Sequence, residues 1–163
     1  MAFKPMRPTN NPPQGTFEMR SALSPSEERL FFALIEAVGN SYFVFPKMSL
    51  REIIRNTHRF DFDRISRKSV DFMIYERSVF QPKCAIELDD HTHEVRINKE
   101  RDQVKDYYLN VAGIPVIRLP VYEKFLPKRI RDMIITAKAD TTMEYPIPPI
   151  VVEVEEVDLT DSQ

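Results

Sequence analysis

The sequence contains little cysteine, little glycine and no long apolar run, and each deficit excludes a class of protein. Its 163 residues include one cysteine, Cys84, so neither an internal disulfide nor a cysteine-based zinc cluster can form. Three glycines exclude the glycine-rich loops that hold nucleotide phosphates. No apolar stretch approaches the roughly 18 residues of a membrane helix, and no secretory leader is recognisable. We therefore expect a cytoplasmic protein that does not span a membrane.

Charge is distributed unevenly along the chain, although the formal net charge is only -2. Residues 141–163 carry six acids and no lysine or arginine, so residues 1–140 have a net charge of +4. Seven basic residues fall between Lys47 and Lys68, against three acids. Such a cluster is typical of a surface that faces phosphates, although a solvated loop and helix would have the same composition.

Proline content divides the chain into three parts. Residues 1–22 and 139–163 are rich in proline and polar groups, and we expect flexible terminal arms there. Residues 23–138 are predicted to form one α/β domain, with elements in the order helix, three strands, helix, strand, helix. A capping box at Ser24 and Glu27 starts the first helix, and Gly39 ends it. Successive strands followed by a strand–helix–strand crossover predict a mixed central sheet flanked by helices.

Acidic residues occupy one side of two predicted strands. In "AIELD" the side chains of Glu87 and Asp89 point away from those of Ile86 and Leu88, and Asp71 in "VDFMI" also opposes apolar neighbours. Neighbouring carboxylates repel one another unless a cation lies between them, and Mg²⁺ or Mn²⁺ prefers such oxygen ligands. The pattern predicts a metal site made by these three acids, with a row of solvated acids as the alternative.

Three further residues are candidate members of this site. Glu27 is predicted on the helix face that packs against the sheet, although its role in the capping box would explain it equally well. His93 follows the second strand in a turn, where histidine can bind a metal, shuttle protons or bind phosphate, although most loop histidines do none of these. Arg118 interrupts the apolar segment "IPVIRLP", where a guanidinium needs an anion, either the acidic cluster or a substrate phosphate.

The order of these motifs resembles that of the PD-(D/E)xK, or restriction-endonuclease-like, nuclease superfamily. The segments "LSPSE", "KSVDF", "IELDD" followed by His93, "ERD" and "GIPVIRLP" more closely resemble the domain of unknown function 2726 family, which is similar to very-short-patch-repair endonucleases. The resemblance covers residues 23 to about 120. It implies a restriction-endonuclease-like core in which Asp71 and Glu87 bind a metal and Glu27 supports them.

The chain departs from the superfamily pattern at Asp89, which stands where a lysine usually helps to position the attacking water. The resemblance therefore implies that Asp89 ligates the metal and that another residue supplies the positive charge. The candidates for that charge are His93, Lys99, Arg101 and Arg118.

These observations predict a divalent-metal-dependent nuclease that hydrolyses phosphodiester bonds, with DNA as the favoured substrate. Asp71, Glu87 and Asp89 would bind Mg²⁺ or Mn²⁺, and Lys83 and Arg118 would bind phosphate. The alternative is a non-catalytic nucleic-acid-binding or adaptor module on the same fold. A third hypothesis is an interaction protein whose acidic C-terminal arm covers the basic region.

Overall fold

The structure, a computed structural model, describes residues 15–55, 65–89 and 95–144, without the side chains of residues 95–102. The described parts of the chain contain four helices and four strands in a single α/β arrangement. In chain order they are α1 (Pro25–Val38), β1 (Tyr42–Pro46), α2 (Leu50–Ile53), β2 (Phe72–Glu76), β3 (Gln81–Asp89), α3 (Val95–Val111), β4 (Val116–Pro120) and α4 (Pro127–Thr136). The predicted order is confirmed, with the short α2 inserted between the first two strands. No helix in these ranges combines the length and apolar character needed to cross a bilayer.

The four strands form one mixed sheet in the order β1-β2-β3-β4. β1 and β2 are antiparallel, β2 and β3 form an antiparallel hairpin, and β3 and β4 are parallel because α3 crosses between them. The predicted mixed sheet with flanking helices is confirmed. β1 and β2 are neighbours but are not joined by a tight turn, since α2 lies between them in the chain. The assignment to a restriction-endonuclease-like core stays a prediction.

Two apolar clusters cover the two faces of the sheet. On one face, α1 and α4 pack against alternate strand residues, among them Phe72, Cys84 and Ile86. On the other face, α2 and α3 pack against Met73, Ala85 and their neighbours. This alternation follows from the two-residue repeat of a strand, and it sends residues 87 and 89 of β3 to the α3 face. Burial raises the pKa of the Cys84 thiol to about 12, as expected of an inert core cysteine.

The first helix begins with the predicted capping box. The Ser24 N–H donates to Glu27 Oε2 at 2.7 Å, and the Glu27 N–H donates to Ser24 Oγ at 3.4 Å. Pro25 occupies the first helical position, where its missing N–H costs nothing. Gly39 follows the helix with φ +50°, a left-handed conformation that favours glycine. These local signals set where α1 begins, and the ion pair between Glu27 and Lys47 then holds this end of the helix beside the end of β1.

Candidate functional site

Asp71, which immediately precedes β2, lies in a row with Glu87 of β3 and Arg118 of β4. Phe72 pairs with Ile86, so the antiparallel register continued by one residue sets Asp71 opposite Glu87. The parallel register of β3 and β4 sets Glu87 beside Arg118. Side chains directly opposite each other have β-carbons about 5 Å apart. Strand pairing alone therefore brings two carboxylates and one guanidinium together.

Glu87 is the most buried acid of this row. Its side chain is 8% exposed, and Oε2 accepts a 2.6 Å hydrogen bond from the ammonium of Lys105 on α3. Oε1 is buried and has no hydrogen-bond partner among the described residues. Burial raises the pKa of Glu87 to about 7 although Lys105 opposes the shift, and the charge of Asp71 raises it further. The carboxyl is thus partly protonated near neutral pH and has one acceptor oxygen available.

Lys47 links α1 to the start of β2. Its ammonium donates to Glu27 Oε1 and, at 2.8 Å, to Asp71 Oδ1. Burial lowers the pKa of Lys47, but the two carboxylates outweigh it and raise the pKa above its ordinary value. Asp71 Oδ2 accepts the N–H of Leu88 at 2.9 Å, so both oxygens of this carboxylate are held. Lys47 has φ +51°, a conformation unfavourable for lysine, which the bonds to two acids help to stabilise.

Arg118 holds two further carboxylates. Its Nη1 donates to Asp89 Oδ1 at 2.6 Å, and its Nη2 and Nε donate to Asp106 Oδ2 at 2.7 and 3.2 Å. Burial opposes the charged form, but Asp106 and Asp89 raise the pKa of the guanidinium above its ordinary value. The anion expected for Arg118 is therefore a pair of aspartates, one from β3 and one from α3. These bonds use three of the five guanidinium N–H groups, and a phosphate would have to bind the remaining two or displace an aspartate.

Five of the six predicted catalytic residues lie among the described side chains, and they form two separate groups. Glu27 and Asp71 share Lys47, with Glu87 opposite Asp71, whereas Asp89 joins Arg118. No three acids, histidines or cysteines in the described parts of the chain lie close enough to hold one ion. The predicted convergence of Asp71, Glu87 and Asp89 on one ion is thus not seen. The sixth residue, His93, lies outside the described residues, as do the side chains of Lys99 and Arg101.

Lys47 and Lys105 were not predicted to pair with the acids, although Lys47 belongs to the predicted basic cluster, and one predicted cation lies elsewhere. Lys105 occupies the face of α3 that also carries Val104 and Leu109, and a lysine within such an apolar stripe indicates a buried anion. Lys47 lies next to a proline at a strand end and has no comparable signal. Lys83 was expected to bind phosphate near the acids, but its ammonium lies 3.5 Å from Ile135 O of α4, on the opposite face of the sheet.

The chemistry of the site suits a hard divalent cation bound by Asp71 and Glu87. The two carboxylates are adjacent, and the buried Oε1 of Glu87 is an acceptor that an ion would use. A cation there would also relieve the repulsion that contributes to the raised pKa of Glu87. Lys47 and Lys105 supply positive charge on either side of the pair. Such a group of opposed charges at a sheet end can orient water and stabilise an anion.

Comparison with known proteins identifies the family and nothing finer. Neither the curated proteins nor the solved structures contain a significant match to this chain. A family model described as a protein of unknown function, DUF2726, matches residues 19–138, a range that includes every element from α1 to α4. The predicted family is confirmed, while its relationship to the PD-(D/E)xK superfamily and to very-short-patch-repair endonucleases stays a prediction. The chain belongs to the DUF2726 family of proteins of unknown function.

Proposed function

We propose that this protein is a divalent-metal-dependent nuclease that hydrolyses phosphodiester bonds in DNA. The observation that carries the proposal is the environment of Glu87, a buried carboxylate opposite Asp71 with one oxygen lacking a partner among the described residues. Leaving a buried acceptor unsatisfied costs about 1–3 kcal/mol, which a core without a function for it would avoid. Perturbed carboxyl groups of this kind concentrate at functional sites.

Asp71 and Glu87 would hold Mg²⁺ or Mn²⁺. When bound, such an ion lowers the pKa of a coordinated water and neutralises charge that develops on a phosphate. The carboxylate of Asp71 is pre-oriented for metal binding because Lys47 and the Leu88 N–H hold its two oxygens. Glu27 acts through Lys47 and is a positioning residue rather than a ligand.

The superfamily pattern has a lysine at the position of Asp89, and Lys105 would take over the role of that lysine. Its ammonium lies 2.6 Å from Glu87 Oε2, so a positive charge reaches the same carboxylate from α3 instead of from β3. It would help to position the attacking water and stabilise the negative charge of the reacting phosphate. Asp89 would then orient Arg118 together with Asp106. The roles of Asp89 as a metal ligand and of His93 as a catalytic residue stay predictions.

The proposal is tested by cleavage of plasmid, linear and branched DNA with Mg²⁺, with Mn²⁺ and with EDTA. Cleavage should require the ion and fall about 100-fold or more in Asp71→Asn and Glu87→Gln. Glu36→Gln, which changes an exposed acid on α1, is the matched control and should retain activity. Lys105→Met should lose activity to a similar extent. If Asp71→Asn, Glu87→Gln and Lys105→Met all cleave as the parent does, these residues do not form the active site.

A non-catalytic nucleic-acid-binding module is the second candidate, and one observation favours it. The four acids Glu27, Asp71, Glu87 and Asp89 each have a lysine or arginine partner, so the protein neutralises them without an ion. This module would bind DNA with an affinity that falls steeply with salt, and it would release no product with any divalent ion. Single-turnover incubation with excess protein separates the two, because a nuclease must produce cleaved strands.

A further inference from the structure

The β2–β3 hairpin ends in an exposed aromatic cluster that the proposed active site does not use. Phe80 lies 5.4 Å from Tyr75, 5.8 Å from Phe43 and 6.1 Å from Phe45, measured between ring centroids. Although it contacts three rings, Phe80 remains 61% exposed, and the neighbouring Val79 is 58% exposed. One side of the Phe80 ring is therefore supported by other rings, while much of its remaining surface faces water. An exposed aromatic surface on a rigid support is what base stacking requires.

The backbone at Phe80 is in an unfavourable conformation. Its φ is +54°, in the left-handed region that glycine or asparagine adopts most easily and that is unusual for a bulky residue. The Phe80 N–H closes the hairpin loop by donating to Glu76 O at 2.9 Å. Glycine would form this loop without strain, so the loop geometry does not explain a phenylalanine at this position. A bulky aromatic residue held in this way is more consistent with use of its ring.

Positive charge lies next to the cluster. The Arg77 guanidinium lies over the Phe43 ring at 5.0 Å, and the residue is exposed. A ring that accepts a base beside cations that accept phosphates is the combination found in single-stranded nucleic-acid sites.

We propose that Phe80 is a stacking platform for an unpaired nucleobase and that Arg77 contacts the adjacent phosphate. The ring lies on the α3 face of the sheet, the face that also carries Glu87. About six residues of β3 separate the two positions, or about 20 Å along the strand. A substrate with an unpaired segment would then be held at the hairpin while its backbone reaches the carboxylates. The approach of the substrate backbone to the carboxylates depends on the proposed nuclease function, whereas base stacking on Phe80 does not.

The test measures binding by fluorescence anisotropy in EDTA, so that cleavage does not interfere. The probes are labelled oligo-dT and oligo-rU of about 15 nucleotides, within the range such platforms cover, and a DNA duplex of the same length. Phe80→Ala should weaken oligo-dT binding about 5- to 150-fold, the usual effect of removing one stacked base, and should leave duplex binding within about twofold. Phe32→Ala on α1 is the matched control, because Phe32 is 63% exposed on the other face of the sheet. It should bind both DNA probes as the parent does.

Two further variants separate stacking from folding of the hairpin. Phe80→Leu retains apolar contact but removes the aromatic face, so it should lose oligo-dT affinity as Phe80→Ala does, while Phe80→Trp should retain it. Equal oligo-dT binding by Phe80→Leu and the parent would overturn the proposal, as would equal losses for oligo-dT and duplex. The oligo-rU arm decides which sugar the site accepts. Absence of DNA cleavage by the parent with Mg²⁺ and with Mn²⁺ would overturn the nuclease proposal alone, because these binding measurements require no ion and no turnover.

Discussion

Replacing Glu87 by glutamine should change how the stability of the protein depends on pH. Burial raises the pKa of this carboxyl from 4.5 to about 7 in the folded protein, while the unfolded chain has the ordinary value. Below about pH 4.5 the group is protonated in both states, and the stability that its protonated form contributes is fully present. As the pH rises through 7 this stability is lost, because the unfolded chain releases the proton first. The difference in pKa corresponds to about 3 kcal/mol.

Glutamine resembles the protonated carboxyl and cannot titrate, so the variant should escape this loss. We expect the free energy of unfolding of Glu87→Gln to be close to that of the parent near pH 4.5. By pH 8 the variant should be more stable by about 3 kcal/mol. Other titrating groups are present in both proteins and largely cancel in the comparison. In the proposed nuclease, this loss of stability at working pH would be a cost of function.

The assay is urea unfolding of both proteins at a series of pH values from 4.5 to about 8, in EDTA. A second series with Mg²⁺ at the highest pH tests the link to metal binding. A Mg²⁺ concentration about 100-fold above its dissociation constant should stabilise the parent by about 2.7 kcal/mol and the variant much less. A difference between the two proteins that is constant across pH would refute the raised pKa. A parent that gains stability relative to the variant as pH rises would show that the Lys105 ion pair outweighs burial.

Three other substitutions test the fold and the charge network, each measured as a free energy of unfolding in urea. Ser24→Ala removes one half of the capping box and should cost about 1 kcal/mol; an unchanged value would mean that the box does not stabilise α1. Leu34→Ala removes a fully buried side chain between α1 and the sheet and should cost about 2–5 kcal/mol, with a loss below 1 kcal/mol contradicting the packing. Arg118→Lys cannot reach both of its carboxylates at once and should cost about 1–2 kcal/mol, whereas the exposed control Arg129→Lys should change stability by less than about 0.5 kcal/mol. Equal effects of the two arginine substitutions would show that the partly buried ion pairs of Arg118 stabilise the fold no more than an exposed ion pair does.

Local signals were sufficient to predict most of the secondary structure. The capping box of α1, the alternation in β3 and the helical spacing of α3 all act over fewer than ten residues, so they can be recognised without a partner. The helix predicted over 98–112 is observed at Val95–Val111, and the strand predicted at "KCAIELDD" at Gln81–Asp89. Alternation also predicted correctly that Glu87 and Asp89 share one face. The family was recognised for the same reason, since its motifs are short and lie in order along the chain.

Ion pairing could not be predicted in the same way. Glu87 and Lys105 are separated by 18 residues, and Lys47 and Asp71 by 24, so each pair depends on how α3 and β1 pack. The sequence predicted that Asp89 would join the other two acids on one ion. Because β4 places Arg118 beside β3, Asp89 forms an ion pair with the guanidinium, and its role as a metal ligand stays a prediction. A strand pattern indicates the face on which a side chain lies but not which cation on a neighbouring element reaches it.

The sequence by itself thus determined the elements, the face of the acids and the family, because each depends on short repeats or ordered motifs. Only the tertiary structure decided which charges meet. Sheet register set Asp71 opposite Glu87, and the packing of α3 supplied Lys105 and Asp106. Burial in that arrangement raises the pKa of Glu87 and leaves Oε1 without a partner among the described residues. A carboxylate in "IELDD" becomes a candidate catalytic group only when three strands and a helix surround it.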